Sequence, residues 1–364
     1  MTDERQVRYA VVGAGHIAQV AVLPAFVHAK ANSRLVAVVS GDPDKRAALS
    51  EHYGLELTGD YDDFATVLDK GAIDAVYIAT PNAIHKELAL EAAARGVHVL
   101  CEKPLAMRAA ECRELAATCK SAGVKLMVAY RLHFDAATLH AVEVARSGEL
   151  GALRLFSSFF SHVVRPDDVR REPSLGGGAT YDLGVYCVNA ARHLFGAEPS
   201  SVYAASIERL GTDDSTTVIL QFPGGCLAQF CVANSTAHVS SYRIAGTEGD
   251  LRVEPGFDST RDRVHHLTVG GRTHRTVFRK SDQFAPELLH FSDCILRDLE
   301  PEPSAEEAYC DVRVLEAIVE SASTHCTVAL APYPYAGHLE RSLAASLPPV
   351  SRPRTIHAPS PSVR

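Results

Sequence analysis

The sequence predicts a two-domain protein, an α/β domain with a parallel sheet covered by helices on both faces, followed by an α+β domain on an antiparallel sheet. Three observations carry this. Up to about residue 131, near-continuous apolar runs alternate with amphipathic helical stretches. Strands buried on both faces lose the polar alternation of a one-sided sheet. Beyond residue 131 the strands alternate apolar with polar and are separated by glycine turns, the pattern of hairpins with one covered face. The length of 364 residues suits about two domains.

In order, Arg8–Val12 reads as a strand stopping at glycine, and Ile17–Ala31 as a helix that Pro24 should kink. Leu35–Val39 is a second strand, Asp44–Tyr53 a helix closed by Gly54, and Phe64–Leu68 a short helix. Ala75–Ala79, Val97–Cys101 and Lys125–Ala129 are further buried strands, with helices at His85–Arg95 and Ala109–Ser121 between them. Asp135–Arg146 is one more helix. Strands follow at Leu153–His162, Ser201–Arg209, Thr216–Phe222, Leu227–Asn234, Ser241–Ala245, Leu251–Val253, His265–Val269 and His274–Phe278. Helices at Thr180–Leu194, Glu287–Asp298 and Glu306–Ser323 complete the second domain, and the proline-rich stretch from Leu347 reads as a tail without regular structure. The expected boundaries are 1–131, 132–345 and 346–364.

The net charge of -8 argues against nucleic acid or an anionic membrane as partner, since no positive field releases counterions. No apolar run approaches the roughly 20 residues that span a bilayer. The start, Met1–Gln6, is polar, with no apolar core of the signal-peptide kind, so a cytoplasmic location is expected. The nine cysteines form no Cys-x-x-Cys and read as reduced, mostly buried thiols. None of the 17 histidines has ligand spacing on a helix face with a carboxylate nearby, so no metal is expected.

Gly13-Ala14-Gly15-His16-Ile17-Ala18 follows the first strand and opens a helix. It is the Gly-x-Gly-x-x-Ala form of a dinucleotide fingerprint. Gly13 permits the tight turn, Gly15 admits a pyrophosphate close to the backbone, and Ala18 lets helix pack on sheet. The second strand ends at Ser40-Gly41, where a ribose-diol acceptor would be Asp or Glu, with Lys45 and Arg46 one turn on. A hydroxyl and two cations suit a 2′-phosphate, which favours NADP over NAD. Asp42 and Asp44 lie close by and pull the other way.

Glu102-Lys103-Pro104 ends a buried strand at the carboxyl edge, where ligands bind in doubly wound sheets. A lysine there serves a substrate hydroxyl or a developing alkoxide, although a lone strand-end lysine is more often a solvated charge. Together with Ala79-Thr80-Pro81-Asn82-x-x-His85, the run Val99–Ala106 resembles the glucose–fructose oxidoreductase / inositol dehydrogenase / rhizopine-catabolism (Gfo/Idh/MocA) family. Tyr130-Arg131-x-His133-Phe134-Asp135 and Gly176-Gly177-Gly178 leading to Asp182-x-Gly184-x-Tyr186-x-x-Asn189 resemble its aldose-oxidising members, and the likeness spans roughly Arg8 to Tyr335.

The resemblance implies a Rossmann domain and a second domain on a large, mostly antiparallel open sheet, with the active site between them. It carries cofactor contacts onto Gly13, Gly15, His16, Ile17, Ser40, Gly41, Lys45, Thr80, Pro81, Asn82, His85, Glu102, Lys103 and Arg131. It carries catalysis onto Lys103, Asp182 and Tyr186, four residues separating the last two. The implied reaction takes hydride from C1 of a cyclic aldose to NADP and gives a lactone. Tyr186 or Lys103 accepts the hydroxyl proton, and Asp182 accepts a substrate hydrogen bond or orients Lys103. The implied partners are a sugar or polyol and further copies of the chain, as homodimer or homotetramer. With only about eight residues before its first strand, the chain lacks the N-terminal arm by which glucose–fructose oxidoreductase retains NADP, so the cofactor is expected to exchange. Two other functions remain open: a dehydrogenase of another polyol or cyclic trans-diol, and a non-catalytic regulator that senses NADP.

Overall fold

The computed structural model of the chain describes residues 5–334, 337, 339, 341–351 and 353–362. The chain forms two compact units, one of Met1–Arg131, Ser281–Ala308 and Ala345–Ser360, the other of Leu132–Lys280, Tyr309–Ala344 and Pro361–Arg364.

In the first unit, β1 (Val7–Val12) leads through a π-helical turn, Ala18–Val22, into α1 (Leu23–Ala25). There follow β2 (Ser33–Val39), α2 (Pro43–Tyr53), β3 (Leu57–Gly59), α3 (Phe64–Lys70), β4 (Ala75–Ile78), α4 (His85–Ala94), β5 (His98–Glu102), α5 (Ala109–Ser121) and β6 (Leu126–Ala129). The six strands are parallel in the order β3-β2-β1-β4-β5-β6. β1, β4 and β5 are buried almost throughout, which is why their sequences read as apolar runs. The helix expected over Ile17–Ala31 is shorter. Pro24 donates no hydrogen bond, the turn before it winds wide, and Val27 and His28 close the end by donating to the carbonyls of Pro24 and Ala25 at 3.1 and 3.0 Å. Strand β3 has only three residues and no apolar run to announce it.

The second unit begins with α6 (Ala136–Arg146) and β7 (Leu153–Val163). A π-helical turn, Thr180–Gly184, then runs into α7 (Val185–Phe195). β8 (Ser201–Arg209), β9 (Thr212–Phe222), β10 (Cys226–Ala233), β11 (Ser235–Gly246), β12 (Gly249–Glu254), β13 (Arg263–Val269) and β14 (Arg272–Phe278) follow. The chain then forms α8 (Ala285–Arg297), α9 (Ala305–Thr324) and β15 (Val328–Ala329). The nine strands lie in the order β14-β13-β12-β11-β7-β10-β9-β8-β15. Only β7 and β10 run parallel; every other neighbouring pair is antiparallel. Side chains alternate across this sheet. Phe156, Phe160, Val218, Leu220 and Phe230 are buried, whereas Leu155, Phe159, Tyr203, Ile219 and Leu227 on the other face are 39–55% exposed.

Two segments fall outside the expected boundaries: Ser281–Ala308 and Ala345–Ser360 both belong to the first unit. The reason is the apolar face of α8. Leu288 and Phe291 are fully buried, each stabilising by about 1.5–3 kcal/mol. Ser292 meets the Tyr9 hydroxyl at 2.8 Å and the Ser33 hydroxyl at 2.7 Å, which ties α8 to β1 and β2.

All nine cysteines are free thiols, six of them buried; burial pushes Cys119 and Cys294 up to about 11, which keeps them protonated. No described helix is long and apolar enough to cross a membrane.

A buried charge cluster fixes α7 within the second unit. The Arg192 guanidinium donates to Glu198 at 2.7 and 2.9 Å and to Asp311 of α9 at 2.5 Å, and Arg192 and Asp311 are fully buried. Asn189 on the same helix donates to Asp311 at 2.9 Å and accepts from the ring of His133 at 2.9 Å. Removing the cation leaves two buried carboxylates uncompensated, so Arg192→Leu should destabilise the protein by about 3–5 kcal/mol. Urea denaturation checks this, and a loss below about 1 kcal/mol, the scale of an exposed pair, would contradict it.

Candidate functional site

The parallel sheet sets five strand ends side by side. Val12 pairs with Val39 and with Ile78, Ile78 with Cys101, and Glu102 with Ala129. The Gly13 N–H donates to the Val39 carbonyl at 2.9 Å, and the Ala79 N–H to that of Val12 at 2.8 Å. The residues just past those ends are Gly13–Ala18, Ser40–Gly41, Thr80–Asn82, Lys103 and Arg131, so most of the expected cofactor residues lie along one edge.

At the glycine turn the two glycines differ. Gly13 has φ +97°, and a Cβ on it would stand 2.6 Å from the Ala79 carbonyl oxygen and 2.9 Å from the Thr80 methyl. A Cβ on Gly15 would meet nothing within 4 Å. Protein packing therefore demands glycine at 13, while the space beside Gly15 is open to a ligand, as a pyrophosphate requires. Thr80 Oγ1 is buried beside this turn with no hydrogen-bond partner among the described residues, a donor and acceptor available to a bound group. These features fit a dinucleotide.

Ser40 is buried, and its hydroxyl accepts from the Asp42 N–H at 3.3 Å. Asp42 caps α2 by accepting from the N–H groups of Asp44 and Lys45 at 2.9 and 3.1 Å. These bonds, with a stronger one from His357, hold its carboxyl below the usual range. Of the two cations expected for a 2′-phosphate, Arg46 is taken up by Asp60 at 3.1 Å and by the Ser40 carbonyl. Among the described residues Lys45 has no ion pair. Beside Gly41 stands the partly exposed ring of Tyr61, 3.6 Å from where a Cβ would be; a single aromatic in a loop carries no sequence signal for this.

His85 is fully buried, and its ring nitrogens lie 2.9 Å from the Pro104 carbonyl and 3.0 Å from the Thr80 carbonyl. Burial holds its pKa below the ordinary value. Its place is a brace that ties the Thr80–Asn82 loop to the Glu102–Lys103–Pro104 turn.

Glu102 accepts from the Tyr77 hydroxyl at 3.0 Å and from the Lys103 N–H at 3.3 Å. Its side chain thus links Tyr77 to the backbone of Lys103. Burial raises its carboxyl pKa, partly offset by Lys103, Tyr77 and Arg131. Glu287 of α8 is wholly buried nearby, both its oxygens lack hydrogen-bond partners among the described residues, and burial with Glu102 pushes it well above the carboxylate range. Arg131 donates to the side chain of Gln283, also from the α8 region. Glu287 and Gln283 escaped the sequence reading because nothing in a helix pattern says which strand end it will cover.

In the second unit the glycine run allows close approach. A Cβ on Gly177 would stand 2.6 Å from the Arg170 carbonyl, and one on Gly178 would run into the Asp213 carboxylate. The chain then enters the π-helical turn containing Asp182, with Tyr186 in the first turn of α7. A four-residue step across a π turn keeps the two on one helix face, a winding that recurs at functional sites. Arg170 Nε donates to Asp182 at 3.0 Å, and His162 Nε2 lies 3.8 Å from the same carboxylate oxygen. Arg170 also donates to Asp168 at 3.0 Å. Burial keeps the His162 pKa low. Tyr186 packs its ring on Phe160 and Phe257, with centroids 5.6 and 5.9 Å apart. Lys103 thus belongs to the first unit, and Asp182 and Tyr186 to the second. Arg170 lies in an irregular loop between β7 and α7 and had no periodicity to flag it.

The glycines make a paired test. Gly13→Ala should destabilise the protein by about 1–3 kcal/mol through left-handed strain and overlap. Gly15→Ala should leave the melting temperature intact yet weaken dinucleotide binding by about tenfold or more, since the methyl enters the pyrophosphate space. Calorimetric titration with thermal melts reads both, and equal dinucleotide affinity in Gly15→Ala would contradict the placement.

Comparison with known proteins agrees with this geometry. The model of the Gfo/Idh/MocA oxidoreductase family, NAD-binding Rossmann fold, matches residues 7–130, and that of the Gfo/Idh/MocA C-terminal domain matches residues 138–252. A D-xylose 1-dehydrogenase (NADP(+)) of Haloferax volcanii is 33% identical over 88% of this chain and 99% of its own. The D-xylose 1-dehydrogenase [NADP(+)] of Haloarcula marismortui is 32% identical over 90% of this chain and 94% of its own. The crystal structure of an aldose-aldose oxidoreductase from Caulobacter crescentus, complexed with glycerol, superimposes with a TM-score of 0.84 at 34% identity, covering 90% of this chain and all of that one. With both domain models and relatives of full length in agreement, the chain belongs to the Gfo/Idh/MocA family of NAD(P)-dependent oxidoreductases.

Proposed function

We propose that this enzyme is an NADP-dependent dehydrogenase that oxidises C1 of a cyclic aldose, glucose or xylose, to the lactone, and that it can return the hydride to a second sugar. One observation carries the reading: Lys103, Asp182 and Tyr186 occur together in a chain alike over about nine-tenths of its length to two NADP-linked D-xylose dehydrogenases and an aldose-aldose oxidoreductase.

When bound, NADP supplies the nicotinamide that accepts the hydride from C1. The residues of the chain hold the sugar and move the proton. Lys103 donates a hydrogen bond to the C1 hydroxyl oxygen and stabilises the charge that grows on it. Tyr186, as phenolate, takes the hydroxyl proton while the C1–H bond breaks and the C1=O bond forms. Asp182, held by Arg170, accepts a hydrogen bond from a neighbouring sugar hydroxyl; an aspartate already compensated by a guanidinium serves as a fixed acceptor better than as a base. The choice of NADP rests on Ser40 and Lys45. The nearest acid, Asp42, is occupied in capping α2 and pairing with His357, which takes it away from a ribose diol. A second copy of the chain, in a homodimer or homotetramer, covers the exposed apolar face of the nine-stranded sheet.

Turnover with a panel of aldoses, inositols and cyclic trans-diols, each with NADP and NAD, separates this reading from its competitors. Fastest reduction with an aldose and NADP is expected; a preference for inositol or a trans-diol would replace the substrate class. Tight NADP binding without turnover on any of them would make the chain a sensor. Lys103→Met should lower kcat by about 10²–10⁴-fold, with the cofactor Kd within about twofold of the parent. Near-parental kcat in that variant would contradict the role of Lys103.

A further inference from the structure

The described residues of 347–360 form no helix or strand, yet they are tied to the first unit at successive points. The Leu347 carbonyl accepts from the Asp282 N–H at 3.1 Å, and Pro349 and Pro353 line a groove with Pro24, Val27 and Tyr53. Beyond the groove the tail reaches the dinucleotide turn. The buried amide of Gln19 grips Ile356 from both sides, donating to its carbonyl at 2.9 Å and accepting from its N–H at 2.8 Å. The same amide donates to the Ala14 carbonyl at 2.9 Å. The His16 ring donates to the Ala358 carbonyl at 3.2 Å, and the His357 ring lies 2.9 Å from the Asp42 carboxylate. Ala14 and His16 belong to the glycine turn, Gln19 follows it directly and Asp42 follows β2, the region where a dinucleotide's phosphates are expected.

The charge of the tail matches that position. Residues 354–360 hold Arg354 and His357 and no acid, in a chain whose net charge is -8. A basic segment laid over an anion site attracts the anion, whereas an acidic plug would repel it.

We propose that residues 354–360 are part of the cofactor site, a strap that closes over the dinucleotide and holds the phosphate end of NADP. This rests on the NADP reading above. The strap acts in two ways. Its backbone, pinned by Gln19 and His16, lies over the turn and slows the escape of the pyrophosphate. His357 meets Asp42 and, in its protonated form, offsets a carboxylate that would otherwise repel a 2′-phosphate held by Ser40 and Lys45. Neutralising one charge beside a dianion in water changes affinity by about severalfold. The strap therefore favours NADP over NAD as well as retaining it.

The test compares the full chain, His357→Ala and a chain ending at Ser346. Titration calorimetry gives the Kd for NADP and for NAD, stopped-flow fluorescence gives the NADPH release rate, and hydrogen exchange reads protection of residues 353–360. His357→Ala should weaken NADP by about fivefold and NAD by less than about twofold. The shortened chain should release NADPH faster still, and NADP should protect the tail of the full chain from exchange. Unchanged affinity and release in both variants would overturn the strap, and so would tighter NADP binding by the shortened chain, the signature of an occluding tail. Equal losses for NADP and NAD in His357→Ala would overturn the role given to Asp42 and His357. Because His357→Ala leaves the rest of the tail in place, a folding failure of the shortened chain does not remove the test. A full chain that prefers NAD would overturn the NADP reading itself, an outcome visible before any variant is made.

Discussion

The first unit depends on the lateral alignment of its parallel strands. Because β1, β2, β4, β5 and β6 run the same way and pair in register, their carboxyl ends lie on one edge, and each next residue faces the same side. The alignment continues past the last paired residues through the bonds from Gly13 to Val39 and from Ala79 to Val12. Those bonds bring the glycine turn so near Ala79 that no side chain fits at Gly13. A glycine turn, a hydroxyl at the end of β2 and a lysine at the end of β5 then converge without any of them having sought the others. His85 extends the same logic by tying the loop after β4 to the turn after β5, so that Lys103 and Thr80 share one brace.

The second unit solves a different problem, that of charge held away from water. Arg192 is wholly enclosed and survives there because Glu198 and Asp311 surround it. Asp182, one turn before Tyr186, is held by Arg170 in the same manner but nearer the surface. The glycines before it are what let Arg170 and Asp213 come close. The π turn then decides which residues of the run share a face, so the pair at 182 and 186 is set by backbone winding as well as by spacing.

The parts of this arrangement written in local patterns could be read without a structure. The bounds of α5 and β8 follow directly from apolar spacing and a stopping glycine, and the parallel sheet shows in runs such as Ala75–Ile78. The glycine turn, Ser40, Lys45 and Lys103 sit where strand ends lead one to look. What escaped has no local signature. β3 is an edge strand of three residues, and the wide turn before Pro24 arises from a missing N–H that sequence marks only as a kink. α8 returns to the first unit across nearly the whole second domain, a long-range choice made by Phe291 and Ser292 against Tyr9 and Ser33. That His85 braces two loops shows only in its burial and in its contacts with Thr80 and Pro104. The tail read as structureless, its described residues form no helix or strand, and its four tethers are visible only once Gln19, His16 and Asp42 are in place.

The central claim is that hydride leaves C1 of an aldose for NADP. Incubating the enzyme with NADP and glucose or xylose deuterated at C1, and following the products by NMR, tests it most directly. The account predicts deuterium at the nicotinamide C4 of the reduced cofactor together with the corresponding aldonolactone. Reduced cofactor free of deuterium, or oxidation at any other sugar carbon, would contradict it.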